Sequence, residues 1–295
     1  MQIYLLFKSG FISIVGCPNA GKSTLLNLLI GNKLSIISPK VQTTRHRIMG
    51  IYNVPEAQLI FLDTPGIIKP KYKLQEHMMQ AVDEAIADAD VIVLVTGAPA
   101  ELIPDTDFLN RLNALQTPLI VVFNKIDMLT ETVLAEYILQ WKNRMPNALC
   151  VPVSALHRFN HPMLIKAIVA KLPEHPPYYD ADMLTDRTER FIASEYIREE
   201  VYSMFHQEVP YSCDIQITAF KIDLKGIHIQ GLIIVERESQ KGILIGQGGK
   251  ALKQLGIRAR KKLEPFFEKP IHLMLRVKVE SDWRNQNQKL KQFGY

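Results

Sequence analysis

Acidic residues are missing from the chain before Glu56, and the stretch Lys241 to Lys262 holds none either. Six Lys/Arg precede Glu56, and seven basic residues fill the later stretch (Lys241, Lys250, Lys253, Arg258, Arg260, Lys261, Lys262). Two such segments suit surfaces that meet phosphates. Cysteine is scarce: Cys17, Cys150 and Cys213 are odd in number and far apart. That excludes a disulfide framework and a zinc site, and it favours a reducing, cytoplasmic setting. Long apolar runs are also absent. Ile3 to Phe7 is too short for a signal-peptide core and lacks a basic start and a small-residue cleavage site, so it reads as the lead-in to a first strand. No targeting or spanning segment, internal repeat or low-complexity tract is visible. What remains is 295 residues, 47% hydrophobic and 22% charged with a mean hydropathy of zero, the composition of a soluble globular chain whose length suits one large or two ordinary domains.

Short apolar runs recur at Phe11 to Val15, Leu59 to Leu62, Val91 to Val95, Leu119 to Phe123 and Leu149 to Val153, as in strands buried on both faces. Between them Leu74, Met78, Val82 and Ile86 repeat at four, as do Val133, Tyr137 and Trp141, marking amphipathic helices. The alternation predicts an α/β fold with a doubly wound, mostly parallel sheet. Ile48 to Val54 reaches the next strand too quickly for a crossover helix and is expected as an antiparallel edge. Pro173, Pro176 and Pro177 end the helical pattern, so the expected organisation is a nucleotide-binding domain over 1–173, a linker over 174–186 and a second domain over 187–295. In that second domain Thr188 caps a helix with Ile192, Tyr196, Ile197, Val201 and Phe205 on its apolar face. Two strands follow with a turn near Lys225-Gly226, then a glycine-rich turn, a helix from Lys250 to Leu263 and a strand from Ile271 to Val279. The predicted order is helix, strand, strand, helix, strand, a small α+β unit.

Gly16-Cys17-Pro18-Asn19-Ala20-Gly21-Lys22-Ser23 follows a predicted strand and opens an apolar helix, the P-loop pattern in its required context. Its backbone N–H groups and helix start cradle phosphates, Lys22 reaches the outer phosphates and the Ser23 hydroxyl ligates magnesium. Asp63-Thr64-Pro65-Gly66 ends the second buried strand, where Asp63 can hold magnesium through water and the Gly66 N–H can meet a γ-phosphate. Asn124-Lys125-Ile126-Asp127 selects the base. A carboxylate at Asp127 accepts from guanine N1–H and the exocyclic amine, whereas adenine would leave it unpaired. Asn124 braces the neighbouring loops, the Lys125 stem lies along the ring, and Ser154-Ala155-Leu156 offers a backbone N–H to guanine O6. The expected nucleotide set is therefore Gly16, Pro18, Asn19, Ala20, Gly21, Lys22, Ser23, Thr24, Asp63, Thr64, Pro65, Gly66, Asn124, Lys125, Asp127, Ser154, Ala155 and Leu156, with GTP or GDP and magnesium as ligands. Ile67 and Ile68 follow Gly66, and neither side chain can orient an attacking water, which predicts slow intrinsic hydrolysis.

These motifs, in this order, resemble the translation-factor-class GTPases. Within that class Val41-Gln42-Thr43-Thr44-Arg45-His46-Arg47 resembles the effector loop of the Era family of bacterial ribosome-assembly GTPases. The resemblance implies that one of the paired threonines, Thr44 ahead of Thr43, closes on magnesium and the γ-phosphate. Lys22, Thr44 and Gly66 are then the expected catalytic groups, and Ser23, Thr44 and Asp63 the expected metal set. Ile243 to Lys250 contains G-x-x-G between a predicted strand and a helix, and with its basic neighbours it resembles a type II KH domain, a clamp for single-stranded RNA. Gly246, Gln247, Gly248, Gly249, Lys250 and Lys253 are its expected RNA contacts. The resemblance implies a monomeric, cytoplasmic GTPase that binds 16S ribosomal RNA near its 3′ end and acts in maturation of the 30S subunit. Two other readings stay open. One is a relative from the tRNA-modification or tandem-domain GTPases, disfavoured by the single P-loop and by the lack of a cysteine after Cys213. The other is a signalling or membrane-associated switch, peripheral at the inner face of the cell membrane, whose small domain binds protein or lipid headgroups through Lys241 to Lys262. The histidines are scattered, with His46 alone expected near the nucleotide, and Trp141 and Trp283 are expected to pack.

Overall fold

A computed structural model of the chain describes residues 7–38, 40, 42–97 and 104–295. Ile3 to Leu6 of the expected lead-in, and Val41 of the effector-loop motif, lie outside the described residues. The chain divides into two compact units. The first holds residues up to Ser35 together with Thr44–Lys69 and Met78–Asp186; the second holds Ile36–Thr43, Pro70–His77 and Arg187–Tyr295.

The first unit is built on β1 (Lys8–Val15), β2 (Ile48–Val54), β3 (Ala57–Asp63), β4 (Val91–Thr96), β5 (Leu119–Phe123) and β6 (Leu149–Pro152), ordered β2-β3-β1-β4-β5-β6. All neighbours are parallel except β2 with β3, the antiparallel edge that the short connection demands. β3 and β4 are buried at every position, which is why they read as apolar runs. Helices α1 (Lys22–Ile30), α2 (Lys73–Ala87), α3 (Thr106–Asn113) and α4 (Glu131–Arg144) run between the strands, and α5 (His161–Lys171) follows β6. Phe123, Tyr137 and Trp141 meet edge to face in the core under α4. Val133, assigned to the apolar face of α4, is instead 38% exposed because it lies in the first turn, beyond the sheet.

Residues 174–186 do not hang free as a linker. Gln58 accepts from the Tyr178 and Tyr179 N–H groups at 2.8 and 3.0 Å and donates to Tyr179 O at 2.8 Å, while Ile51 N–H donates to Leu184 O at 2.9 Å. The prolines that end α5 hold the backbone extended, and an extended backbone can satisfy the open edge of β2.

The second unit has α6 (Glu189–Met204), α7 (Val209–Ser212), β7 (Asp214–Asp223), β8 (Gly226–Val235), α8 (Glu238–Ile245), α9 (Lys250–Phe267), β9 (Ile271–Val279) and α10 (Asn287–Phe293). Its sheet runs β7-β8-β9, antiparallel then parallel, with a bulge between Ile217 and Ala219. Thr188 caps α6 by accepting from Phe191 N–H at 3.2 Å. Ile197, Val201, Ile233, Val235, Leu255 and Ala259 form the core between α6, α9 and the sheet. The glycine-rich turn follows a helix and not a strand. α8 forms because Gln240 Oε1 accepts the Glu236 and Arg237 N–H groups at 3.0 Å each, closing the helix start.

The two early segments belong to this unit through specific bonds. Lys40 Nζ donates to Tyr202 O and Phe205 O at the end of α6. Tyr72 lies under the Arg284 guanidinium, 4.7 Å from ring centroid to carbon, and Arg284 pairs with Glu236.

Candidate functional site

The loop between β1 and α1 wraps the Lys22 side chain, 6% exposed, whose ammonium donates to Gly16 O and Cys17 O at 3.0 Å each. Burial pulls that ammonium below the usual lysine range, with Asp63 opposing. Asp63, at the end of β3, is fully buried, and burial pushes its carboxyl up against the pull of Lys22 and two hydroxyls. Ser23 Oγ and Ser35 Oγ donate to Asp63 Oδ2 at 2.7 and 2.8 Å. Thr44 Oγ1 stands 2.9 Å from Ser23 Oγ. Asp63 Oδ1 is buried and has no hydrogen-bond partner among the described residues. One carboxylate with a spare oxygen beside the Ser23 and Thr44 hydroxyls is a donor set that fits a hard divalent cation.

Of the two threonines, Thr44 reaches this cluster; Thr43 Oγ1 turns back to donate to Lys40 O at 2.7 Å. Ser35 is a member that the sequence reading missed. The only local signal is Asn27, which accepts from the Leu34 and Ser35 N–H groups at 2.9 Å and donates to Ser35 O at 2.7 Å. Thr64 is present at the site by its backbone, because its hydroxyl is spent on Ile14 O at 2.8 Å. Gly66 packs on Pro18, and Ile67 N–H donates to Gly16 O at 3.0 Å. The Ile67 side chain packs against the core beneath the sheet, so no side chain at that position reaches toward a phosphate.

At the other end of the loop, Asn124 Nδ2 donates to Ala20 O at 2.9 Å and Asn124 Oδ1 accepts Ala155 N–H at 3.0 Å. One amide thus ties the phosphate loop to the Ser154-Ala155-Leu156 loop. Ser154 Oγ donates to Asp127 Oδ1 at 2.5 Å. Lys125 adopts a left-handed backbone, φ 63°, and Leu156 is exposed. His157 Nε2 lies 3.6 Å from Asp127 Oδ2, so a histidine other than His46 stands beside the base-reading carboxylate. Gly16, Pro18, Asn19, Ala20 and Gly21 lie in the turn, Asn19 with a left-handed backbone at φ 64°, and Thr24 stands in the first turn of α1.

In the second unit the turn from Gly246 to Gly249 separates α8 from α9. Gly248 and Gly249 have φ of 59° and 77°, and among the described residues nothing lies within 4 Å of where a Cβ would stand. A backbone that only glycine adopts without strain is therefore left open to close approach by a polymer. Lys250 and Lys253 sit on the first turn of α9, and Gln247 lies in the turn itself. Beside them a groove of about 660 Å³ runs between α9 and β9, lined by Gly249, Leu252, Lys253, Ile257, Leu273 and Met274. His228 and His272, far apart in sequence, stack at 4.6 Å on one wall because the parallel register pairs them directly. No periodicity could have revealed that pair. The basic stretch is less free than it reads: Arg258 and Lys262 are held by the buried Glu200 and Glu199 of α6, at 2.6 and 3.0 Å. Lys241 pairs with Glu238 at 3.4 Å and Arg260 approaches Glu264 at 3.8 Å.

Among the described residues no helix is long and apolar enough to cross a membrane. Comparison with known proteins gives a consistent picture. Residues 11–125 match the family described as 50S ribosome-binding GTPase, and residues 208–284 match the KH domain. The chain is 42% identical over 293 residues to GTPase Era of Geotalea daltonii, covering 98% of each chain. It is 43% identical over 294 residues to GTPase Era of Syntrophus aciditrophicus, covering 99% of this chain and 96% of the relative. Among solved structures, Era in complex with MgGDPNP and nucleotides 1506-1542 of 16S ribosomal RNA superposes with a TM-score of 0.94 at 41% identity, covering 98% of this chain and 99% of that one. A variant of Aquifex aeolicus Era bound to GDP.AlF4- gives the same TM-score of 0.94 and identity of 41% over the same shares.

Proposed function

The chain belongs to the Era family of GTPases, and from that premise we propose that it couples hydrolysis of GTP to GDP and phosphate with capture of single-stranded 16S ribosomal RNA near its 3′ end, during maturation of the 30S subunit. The observation that carries this reading is the convergence of Ser23, Thr44 and Asp63 at one point, with the segment just before Thr44 packed in the unit that bears the Gly246–Gly249 turn. Ser23, Thr44 and Asp63 would hold magnesium, which when bound neutralises charge on the phosphates. Lys22 would exchange its two loop carbonyls for phosphate oxygens, and the Gly66 N–H would meet the γ-phosphate. Asp127 would pair guanine, with Asn124 and Ser154 fixing its position.

Hydrolysis breaks the bond between the γ-phosphorus and its bridging oxygen as a water oxygen attacks and its protons pass to solvent and phosphate. Ile67 offers nothing to orient that water. The intrinsic rate is accordingly slow, and a backbone group or the assembled particle must complete the site. Loss of the γ-phosphate would free Thr44, and with it the loop packed in the second unit, so RNA grip would follow the nucleotide state. We place the protein in the cytoplasm at the maturing subunit. The test is RNA affinity measured by fluorescence anisotropy with an oligonucleotide from the 3′ end of 16S RNA, using protein loaded with GDPNP or GDP. Tighter binding with GDPNP is expected; equal affinity in the two states, free and on the subunit, defeats the coupling.

A further inference from the structure

The effector loop does not hold its own shape. Gln42 has φ 59°, a left-handed backbone that a non-glycine residue adopts only at a cost, and it stands two residues before Thr44. Within the second unit, two successive carbonyls of this loop are gripped by α6. The Tyr202 hydroxyl donates to Gln42 O at 3.1 Å, and Arg198 Nη1 donates to Thr43 O at 2.5 Å. Arg198 is itself locked: its Nε and Nη2 donate to the two carboxylate oxygens of Glu195 at 2.7 and 2.5 Å, and both side chains are deeply buried, with 3% and 5% exposure. A forked pair of this kind fixes the guanidinium plane, leaving one nitrogen aimed at the carbonyl. Buried ion pairs are weak contributors to stability, and an apolar pair would serve packing as well. What this pair contributes beyond packing is direction.

We infer that Arg198, oriented by Glu195 and assisted by Tyr202, is a positioning residue for GTP hydrolysis: it fixes the Thr43–Thr44 peptide and so delivers the Thr44 hydroxyl to Ser23 and Asp63. The inference rests on the proposed GTPase role of that site. Thr43 belongs to the same unit as α6, and Thr44 is the next residue of the chain.

The experiment compares wild type, Arg198→Lys, Tyr202→Phe and the double variant Arg198→Gln/Glu195→Gln, which avoids leaving a buried carboxylate unpaired. Single-turnover GTP hydrolysis is followed against magnesium concentration, with GDP affinity and thermal unfolding measured alongside. In the double variant the hydrolysis rate should fall between roughly tenfold and a hundredfold, the range expected for one lost hydrogen bond from a charged donor. Half-saturating magnesium should rise, while GDP affinity stays within about twofold, since the diphosphate makes no use of Thr44. Tyr202→Phe should show a smaller effect in the same direction, and Arg198→Lys an intermediate one. The decisive measurement combines the double variant with Thr44→Ala. If Arg198 acts through Thr44, the combination hydrolyses no more slowly than Thr44→Ala alone. Additive losses, an unchanged rate in a folded variant, or an equal fall in GDP affinity with lowered melting would each overturn the inference. A wild-type protein without magnesium-dependent GTP hydrolysis would instead overturn the underlying reading and take the inference with it.

Discussion

Replacing Gly66 by alanine tests how closely Asp63-Thr64-Pro65-Gly66 must lie on the P-loop. A Cβ at Gly66 would stand 2.8 Å from Pro18 N and Pro18 Cγ and 2.9 Å from Pro18 Cα. Two of these are backbone atoms of the loop that turns around the phosphates, so no side-chain rotation relieves the clash. Either the P-loop shifts or the segment after Asp63 retreats, and in both cases the bond from Ile67 N–H to Gly16 O, 3.0 Å, is stretched. Overpacking of this kind costs about 1–3 kcal/mol, and the weakened hydrogen bond adds about 1 kcal/mol. A cost of about 3 kcal/mol borne in the triphosphate-bound state lowers GDPNP affinity by roughly two orders of magnitude. GDP, which needs the P-loop but not the Gly66 N–H, should lose less, on the order of tenfold. Titration calorimetry of Gly66→Ala with both nucleotides measures the two losses directly. If GDPNP and GDP affinities both stay within about threefold of wild type, a difference under 1 kcal/mol, the close approach of these two segments is not what binds the γ-phosphate.

Substitution of Gly248 or Gly249 by aspartate should abolish binding of single-stranded RNA and spare GTP affinity, because each site has open space and an aspartate there would set a negative charge against a phosphate chain; gel-shift and nucleotide titrations on one sample decide it. Asp127→Asn should weaken guanine nucleotides by about two orders of magnitude and improve binding of xanthine nucleotides, whose 2-carbonyl accepts from an amide; unchanged base preference would remove Asp127 from that role. Stability of the second unit should fall on the alkaline side. Burial alone would pull the Lys262 ammonium down, but Glu200 and Glu199 outweigh it and hold it above the usual range, so its stabilisation is complete at neutral pH and is lost as pH climbs through that raised value. Burial, and then Glu199, push the Tyr196 phenol up to about 12, so ionisation available to the unfolded chain is resisted by the folded one, in the same direction. Thermal unfolding against pH should therefore slope downward above the ordinary tyrosine range, and less steeply in Lys262→Met; an identical slope refutes the assignment.

Much of this architecture was legible because burial leaves a plain mark on sequence. β3 and β4 have no exposed position, and the runs Leu59 to Leu62 and Val91 to Val95 carry no polar residue because neither face of those strands meets water. The P-loop and the Asn124 to Asp127 motif were legible because their chemistry demands those residue types at those spacings. Features that depend on distant partners were not. Glu199 and Glu200, acids outside the apolar set of α6, are both buried, since Arg258 and Lys262 meet them from α9. Residues 174–186 have the composition of a linker, yet a proline-stiffened segment is also well suited to line a strand edge. Ser35 is a small polar residue in a loop, and only the fold brings it to Asp63.

The acid partners on α6 also bear on how binding responds to ions in solution. Of the seven basic residues between Lys241 and Lys262, four face an acid, leaving Lys250, Lys253 and Lys261 without an acid partner among the described residues. Each phosphate neutralised on a single strand releases about 0.7 of a counterion. Three available cations then give a logarithmic salt dependence of about −2, where seven would give about −5. A clamp of this kind would hold its strand chiefly by shape and backbone approach, and would lose less of its grip than a purely electrostatic binder as ionic strength rises.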